Sequence, residues 1–333
     1  MIANQTFPLA SKQLSRWQKS FEKAAASSKF RKFLMNQVRV DNKKPTASHA
    51  AEIVDLVRSD LVSMDERMLE YALGWEFASY KHLQAGVYLQ IADFARFHPD
   101  ELVVELGVGC GNLFATLGRP KLLGIDINPY ALELAHSRLA GIGLMPTIYP
   151  DSEVLVNPFF GLSLTPVPIR DKLNLDGVNL VCDNILTFAN TVEILKSNGV
   201  KADCIVFILF GGRSLHTTIE LVERNPSTDL HETERILRDG SKICRKGGRI
   251  IFGIRQISLD PKELSLTSVQ PFNSDALFRK YRSQVTLHRQ TSIDLIREDS
   301  RSGIAISVPS LNPQVLPESA HAYKLLLIEA IVK

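Results

Sequence analysis

The stretch VVELGVGCGN, Val103 to Asn112, decides how this chain is read. Its first four residues extend an apolar run that starts at Leu102, the pattern of a strand covered on both faces. Gly107, Gly109 and Gly111 then form a G-x-G-x-G run, and Asn112 to Leu117 reads as a short helix. Glycine permits positive φ and lets a ligand approach the backbone closely. In open α/β sheets the crevice at the carboxyl end of the first strand is the usual binding place.

Downstream, short apolar runs alternate with helices. KLLGID (121–126) is a second strand, and Asn128-Pro129 opens a helix through Leu139 that Gly141 or Gly143 closes. Asn suits the cap and Pro the first turn. VNLVCD (178–183), CIVFILF (204–210) and GRIIFGI (248–254) are the third, fourth and fifth strands. This alternation predicts a doubly wound, mostly parallel sheet of α/β class. Val285, Leu287, Ile293 and Leu295 alternate, and YKLLLIEAIV (323–332) is a last apolar strand. With no evident helix between them, these two form an antiparallel C-terminal edge pair. Two proline-punctuated stretches, 146–177 and 300–319, fit neither helix nor buried strand. Long loops of this kind are often lids or binding loops.

Upstream the pattern is helical up to His98. Leu14, Trp17 and Phe21 recur at helical spacing, as do Ile53, Val54, Val57 and Leu61 with Ser48 as cap, and Val87, Ile91 and Phe94. His98-Pro99-Asp100 breaks the helix. The chain therefore divides into a helical extension or cap over 1–98 and a core over 99–333, with loop insertions near 146–177 and 300–319.

Composition excludes several classes. Hydrophobic residues make up 45% and charged residues 23% of 333, so a disordered chain is not expected. The longest apolar run, Cys204 to Phe210, has seven residues, against about 20 for a membrane span. The first residues, MIANQTFPLASKQ, lack a signal-peptide core. Four cysteines stand far apart without a C-x-x-C pair, so no zinc site or disulfide framework is expected, and the expected compartment is the cytoplasm. The net charge of +3 hides an asymmetry. Residues 1–44 carry ten bases against two acids, +8, and the other 289 carry 29 bases against 34 acids, −5.

Three acids accompany the glycine loop. Asp126 ends the second strand, 15 residues after Gly111, where it can accept hydrogen bonds from ribose hydroxyls. Asp183 ends the third strand, within reach of an adenine amino group. Glu105, inside the first strand, is placed to orient an amino-acid ammonium. The dinucleotide fingerprint G-x-G-x-x-G fails in both alignments, since Asn112 or Phe114 stands where its third glycine belongs. That argues against NAD or FAD.

With E-L-G-V-G-C-G-N, G-I-D-I-N-P, V-C-D-N and K-G-G-R-I-I-F-G, the chain resembles class I S-adenosylmethionine-dependent methyltransferases from about Pro99 to Lys333. The resemblance implies a seven-stranded sheet whose last strand is antiparallel, and S-adenosylmethionine as cofactor. It implies that Gly107, Gly109 and Gly111 face the methionine part, that Asp126 holds the ribose with Ile127 against adenine, and that Asp183 and Asn184 sit beside the adenine ring. The helix after the loop departs from the family in being short. The fourth strand end, F-G-G-R-S-L-H, would face the acceptor: Phe210 walls the methyl site, Arg213 binds an anionic substrate and His216 acts as base. Cys110 reads as a small loop filler. The N/D-P-P-Y/F signature of amino-group methylases of adenine or glutamine is absent there.

Added N-terminal helices in this superfamily often cover the cofactor, which would bring Tyr80, His82 or Tyr88 to the ligand. His231, Glu232 and Glu234 read as a charged helix face, and no metal is expected. The expected activity is methyl transfer to an O, N or S atom of a small molecule. Alternatives are a nucleic-acid (RNA) methyltransferase using the basic arm, an aminoalkyl transferase, a non-catalytic cofactor-binding protein, and an arm lying on an anionic membrane. Trp17, Phe21, Phe30 and Phe33 look like a packing face rather than a base-stacking platform, which disfavours nucleic acid.

Overall fold

The structure, a computed structural model, describes residues 7–26, 47–118, 121–157, 161–185, 187–208, 226–258, 274–295 and 322–333. The extension contains α1 (Ser11–Ala26), α2 (Ala47–Gln84) and α3 (Val87–Ala95). The core follows as β1 (Val103–Leu106), α4 (Asn112–Leu117), β2 (Leu122–Asp126), α5 (Pro129–Gly141), β3 (Thr147–Tyr149), β4 (Ser152–Asn157), β5 (Gly161–Pro166) and β6 (Val178–Cys182). It continues through α6 (Ala189–Ser197), β7 (Ala202–Ile208), α7 (Pro226–Ile243), β8 (Cys244–Ser258), α8 (Ser274–Lys280), β9 (Val285–Leu295) and β10 (Ala322–Val332). Ser48 lies one residue inside α2 rather than at its cap.

One sheet has the order β3-β6-β2-β1-β7-β8-β10-β9. The pairs from β3 to β8 are parallel, and β10 runs antiparallel to both β8 and β9. The doubly wound α/β architecture and its antiparallel C-terminal pair are present. Seven of the eight strands in this sheet are those read from the sequence.

The eighth, β3, corrects the reading of 146–177 as loop, and so does the separate antiparallel hairpin β4–β5. Pro146, Pro150 and Pro166 hid them. Proline interrupts a ladder, so β3 is confined to three residues at the sheet edge and β5 ends on Pro166. The stretch 300–319 lies outside the described residues.

Side chains alternate across the strands and separate two cores. Val104, Leu106, Ile205, Phe207, Ile250 and Phe252 face the side of α6, α7 and α8. Val103, Leu122, Leu180, Cys204, Val206 and Ile251 face α3, α4 and α5. A third cluster joins extension to core: Trp17 and Phe21 of α1 and Leu61, Met64, Met68 and Ala72 of α2 meet Cys110, Tyr130, Ala131 and Leu134. Polar contacts pin this seam. Glu133 of α5 accepts the N–H groups of Leu9 (3.1 Å) and Ala10 (2.8 Å), and Trp17 Nε1 donates to Ser152 Oγ at 3.1 Å.

At the far edge Glu329, buried on β10, lies between Arg249 (3.1 Å) and Arg289. Arg249 also pairs with Glu101 at 2.6 Å and lies over the Phe97 ring. A buried carboxylate is tolerable only with such partners. Among the described residues no helix is long and apolar enough to cross a membrane.

Candidate functional site

The glycine loop is shaped by the end of β2. Gly107 N and Val108 N both donate to Ile125 O, at 2.8 and 2.9 Å. This turns the backbone sharply, and Gly107, Gly109 and Gly111 take φ of +77°, +52° and +72°. Only glycine adopts such values routinely. Gly109 N then donates to Asp126 Oδ2 at 3.1 Å, while Asn128 N donates to Asp126 Oδ1 at 2.9 Å. A carboxylate has about four acceptor positions, so Asp126 can accept a further donor. Loss of solvent raises the Asp126 carboxyl to about 6, and the backbone N–H groups of Asn128 and Gly109 oppose that rise.

Asn128 caps α5, its Oδ1 accepting from Tyr130 N (3.0 Å) and Ala131 N (3.4 Å). Its Nδ2 donates to Met68 O at 2.9 Å. Tyr130 OH donates to Asp65 Oδ1 at 2.9 Å, and Arg138 pairs with Glu76. The residues that organise the glycine loop therefore also anchor α2 beside it.

A pocket opens over the loop, lined by Trp75, Tyr88, Glu105, Gly107, Asn112 and Ile208 among others. Its enclosed volume is small, about 20 Å³, and it opens to solvent. No lysine or arginine is among its described lining residues. Glu105 is 6% exposed and Asn112 3%. Glu105 Oε2 and Asn112 Oδ1 are buried with no hydrogen-bond partner, although Asn112 Nδ2 donates to Tyr88 OH at 3.4 Å. Burial, then the nearby Asp126 charge, pushes the Glu105 carboxyl well above the usual carboxylate range. Two orphaned acceptors in this lining can each accept a further hydrogen bond, and leaving them unmet costs stability.

The structure brings Glu105, Gly107, Gly109, Gly111 and Asp126 together at the carboxyl ends of β1 and β2. Ile127 follows directly, packed against the α5 side of the sheet. Cys110 is buried beside Ala72 O (4.0 Å), and burial pushes its thiol far up, which suits a filler rather than a nucleophile.

Other expectations are corrected. Asp183 has no exposed surface, and its carboxylate is occupied locally. Oδ2 accepts from Thr191 N and Thr191 Oγ1, both at 2.8 Å, and Oδ1 from Asn184 N at 2.9 Å. These bonds hold the turn into α6. Asn184, partly exposed, is the accessible member of the pair. Tyr80 is 48% exposed on α2, and His82 is buried at 3%; neither lines the pocket, whereas Tyr88 does.

Phe210, Arg213 and His216 lie outside the described residues, as do the side chains of His231 and Glu232. Glu234 receives Lys280 Nζ at 2.6 Å, in keeping with a charged helix face. Sequence reasoning missed Trp75 and the side chain of Asn112 as lining residues. Asn112 carried a signal, since it directly follows the last glycine. Trp75 opens the stretch that carries Tyr80 and His82, but its contact with Gly109 spans more than thirty residues of chain and is not marked by any local pattern.

No family model matches the sequence, and no curated protein matches it. Solved structures similar to it include YjhP from E. coli (11% identity, 74% of this chain and 91% of that one, TM-score 0.42). A second is a SAM-dependent methyltransferase from Thiobacillus denitrificans in complex with S-adenosyl-L-homocysteine (10% identity, 74% and 90%, TM-score 0.40). A third is magnesium protoporphyrin IX methyltransferase from Synechocystis with bound SAH (11% identity, 77% and 85%, TM-score 0.38).

Proposed function

We propose that the chain is an S-adenosylmethionine-dependent methyltransferase acting on a small molecule. The observation that carries this reading is the pair of unmet buried acceptors, Glu105 Oε2 and Asn112 Oδ1, over a glycine loop whose Asp126 retains free lone pairs. These residues fit a ligand with an ammonium at one end and a ribose at the other. Glu105 and Asn112 accept from the ammonium, the backbone of Gly107–Gly111 lets the amino-acid part approach, and Asp126 accepts from the ribose hydroxyls. Ile127 lies against the adenine. Asn184 stands beside it on the turn that Asp183 holds.

The cofactor, when bound, supplies a methyl group already activated by a positively charged sulfur. The chain's own work is alignment and exclusion of water. In this reading Phe210 walls the methyl site, Arg213 holds an anionic acceptor, and His216 takes a proton where the accepting O, N or S atom carries one. The enclosure of the loop by α2 and α3 supports a small acceptor.

Calorimetry tests the reading. The wild type should bind S-adenosylmethionine, and Asp126→Ala should weaken binding by roughly 10- to 150-fold, the worth of a charge-assisted hydrogen bond. Absence of wild-type binding at millimolar ligand would sink it.

A further inference from the structure

Trp75 stands where extension and core meet over the glycine loop. An ideal Cβ built on Gly109 would lie 2.6 Å from its Nε1 and 3.0 Å from its Cδ1, so the pyrrole side of the indole rests on the loop. The same side chain lines the pocket with Glu105, Gly107, Asn112 and Tyr88. Its place along α2 is held from both directions. Met68 O accepts Asn128 Nδ2 at 2.9 Å and Ala72 O faces Cys110 Sγ on one side, and Glu76 pairs with Arg138 on the other.

An indole held against such a loop excludes water, and its ring attracts a cation when solvent is displaced. Glu105, when ionised, favours positive charge nearby, and no described lining residue is basic.

We infer that Trp75 contacts the cofactor and selects the positively charged sulfonium of S-adenosylmethionine over the neutral thioether of S-adenosylhomocysteine. This rests on the cofactor proposed above. The two ligands share ammonium, ribose and adenine, so the ratio of their affinities isolates the sulfur. A wall that prefers the sulfonium also loosens its hold once the methyl group has left.

The test compares dissociation constants of both ligands for the wild type, Trp75→Phe and Trp75→Leu, with circular dichroism to confirm folding. Trp75→Leu should weaken S-adenosylmethionine by roughly 2- to 30-fold and S-adenosylhomocysteine less, while Trp75→Phe keeps most of the preference. The chain has two tryptophans. Emission of the wild type should therefore change on adding S-adenosylmethionine, and that change should vanish in Trp75→Phe, a readout that stands even if the leucine variant misfolds. Equal weakening of both ligands, or an emission change that survives in Trp75→Phe, overturns the inference while leaving the cofactor in place. Failure of the wild type to bind S-adenosylmethionine overturns the cofactor reading and this inference together.

Discussion

Replacing Gly109 by alanine should destabilise the fold, and the size of the effect should depend on Trp75. Two costs combine at this position. The backbone sits at φ +52°, where a Cβ costs about 1–2 kcal/mol. The new methyl would also lie 2.6 Å from Trp75 Nε1, closer than atoms pack, and overfilling of this kind costs about 1–3 kcal/mol. The indole cannot retreat with its helix, because α2 is fixed through Met68, Ala72 and Glu76. Gly109→Ala should therefore lose roughly 2–5 kcal/mol. In a Trp75→Ala background only the backbone cost remains, so the increment should fall to about 1–2 kcal/mol. Urea denaturation followed by far-UV circular dichroism, applied to the wild type, both single variants and the double variant, gives the coupling directly. Equal increments in the two backgrounds would show that the indole does not lie on the loop, and the inference drawn from Trp75 would fall with it.

The acids of the site predict opposite pH trends for fold and ligand. Asp126 is raised to about 6 and Glu105 also lies above its ordinary range. The folded chain thus holds protons that the unfolded chain has already released, so fold stability should decline as pH rises from about 4 through 6. Affinity for S-adenosylmethionine should rise between about pH 5 and 7 as Asp126 ionises, and Asp126→Asn should flatten that rise; a pH-independent wild-type affinity refutes the assignment. Asp183→Ala should cost about 2–4 kcal/mol, since it strands Thr191 N, Thr191 Oγ1 and Asn184 N. Denaturation midpoints check this, and an effect under about 0.5 kcal/mol, typical of a surface change, would contradict a structural role.

Much of the site was legible because its signals are local. Gly107, Gly109 and Gly111 lie within five residues of chain, and Ile125 and Asp126 meet their turn because parallel neighbours bring their carboxyl ends together. Asp183 was misread for a related reason. Its position at a strand end was correctly located, but its partner Thr191 lies eight residues on, inside a helix whose start is set by Phe188 at φ +37°. No periodicity marks that bond. The hairpin of β4 and β5 escaped because proline outweighed its short apolar alternation. Trp75 escaped because a helix period says which face is buried and not what it is buried against.

The charge asymmetry has a similar origin. On α1, Lys12, Arg16, Lys19 and Lys23 are exposed at spacings of four, three and four, which places them on one stripe of the helix. Gln13, Trp17 and Phe21 are buried on the opposite stripe, against α2 and the hairpin. A helix that commits its aromatic face to the protein cannot also offer that face to a membrane interior or to unstacked bases. The bases of α1 are then the outer side of an element whose inner side the core requires. A partner for this stripe would have to be held by charge alone, and its affinity would collapse with added salt. Methyl transfer to a small molecule, by contrast, should proceed unchanged when Lys12, Lys19 and Lys23 are replaced together by glutamine, and a loss of transfer in that variant would favour the polyanion reading over it.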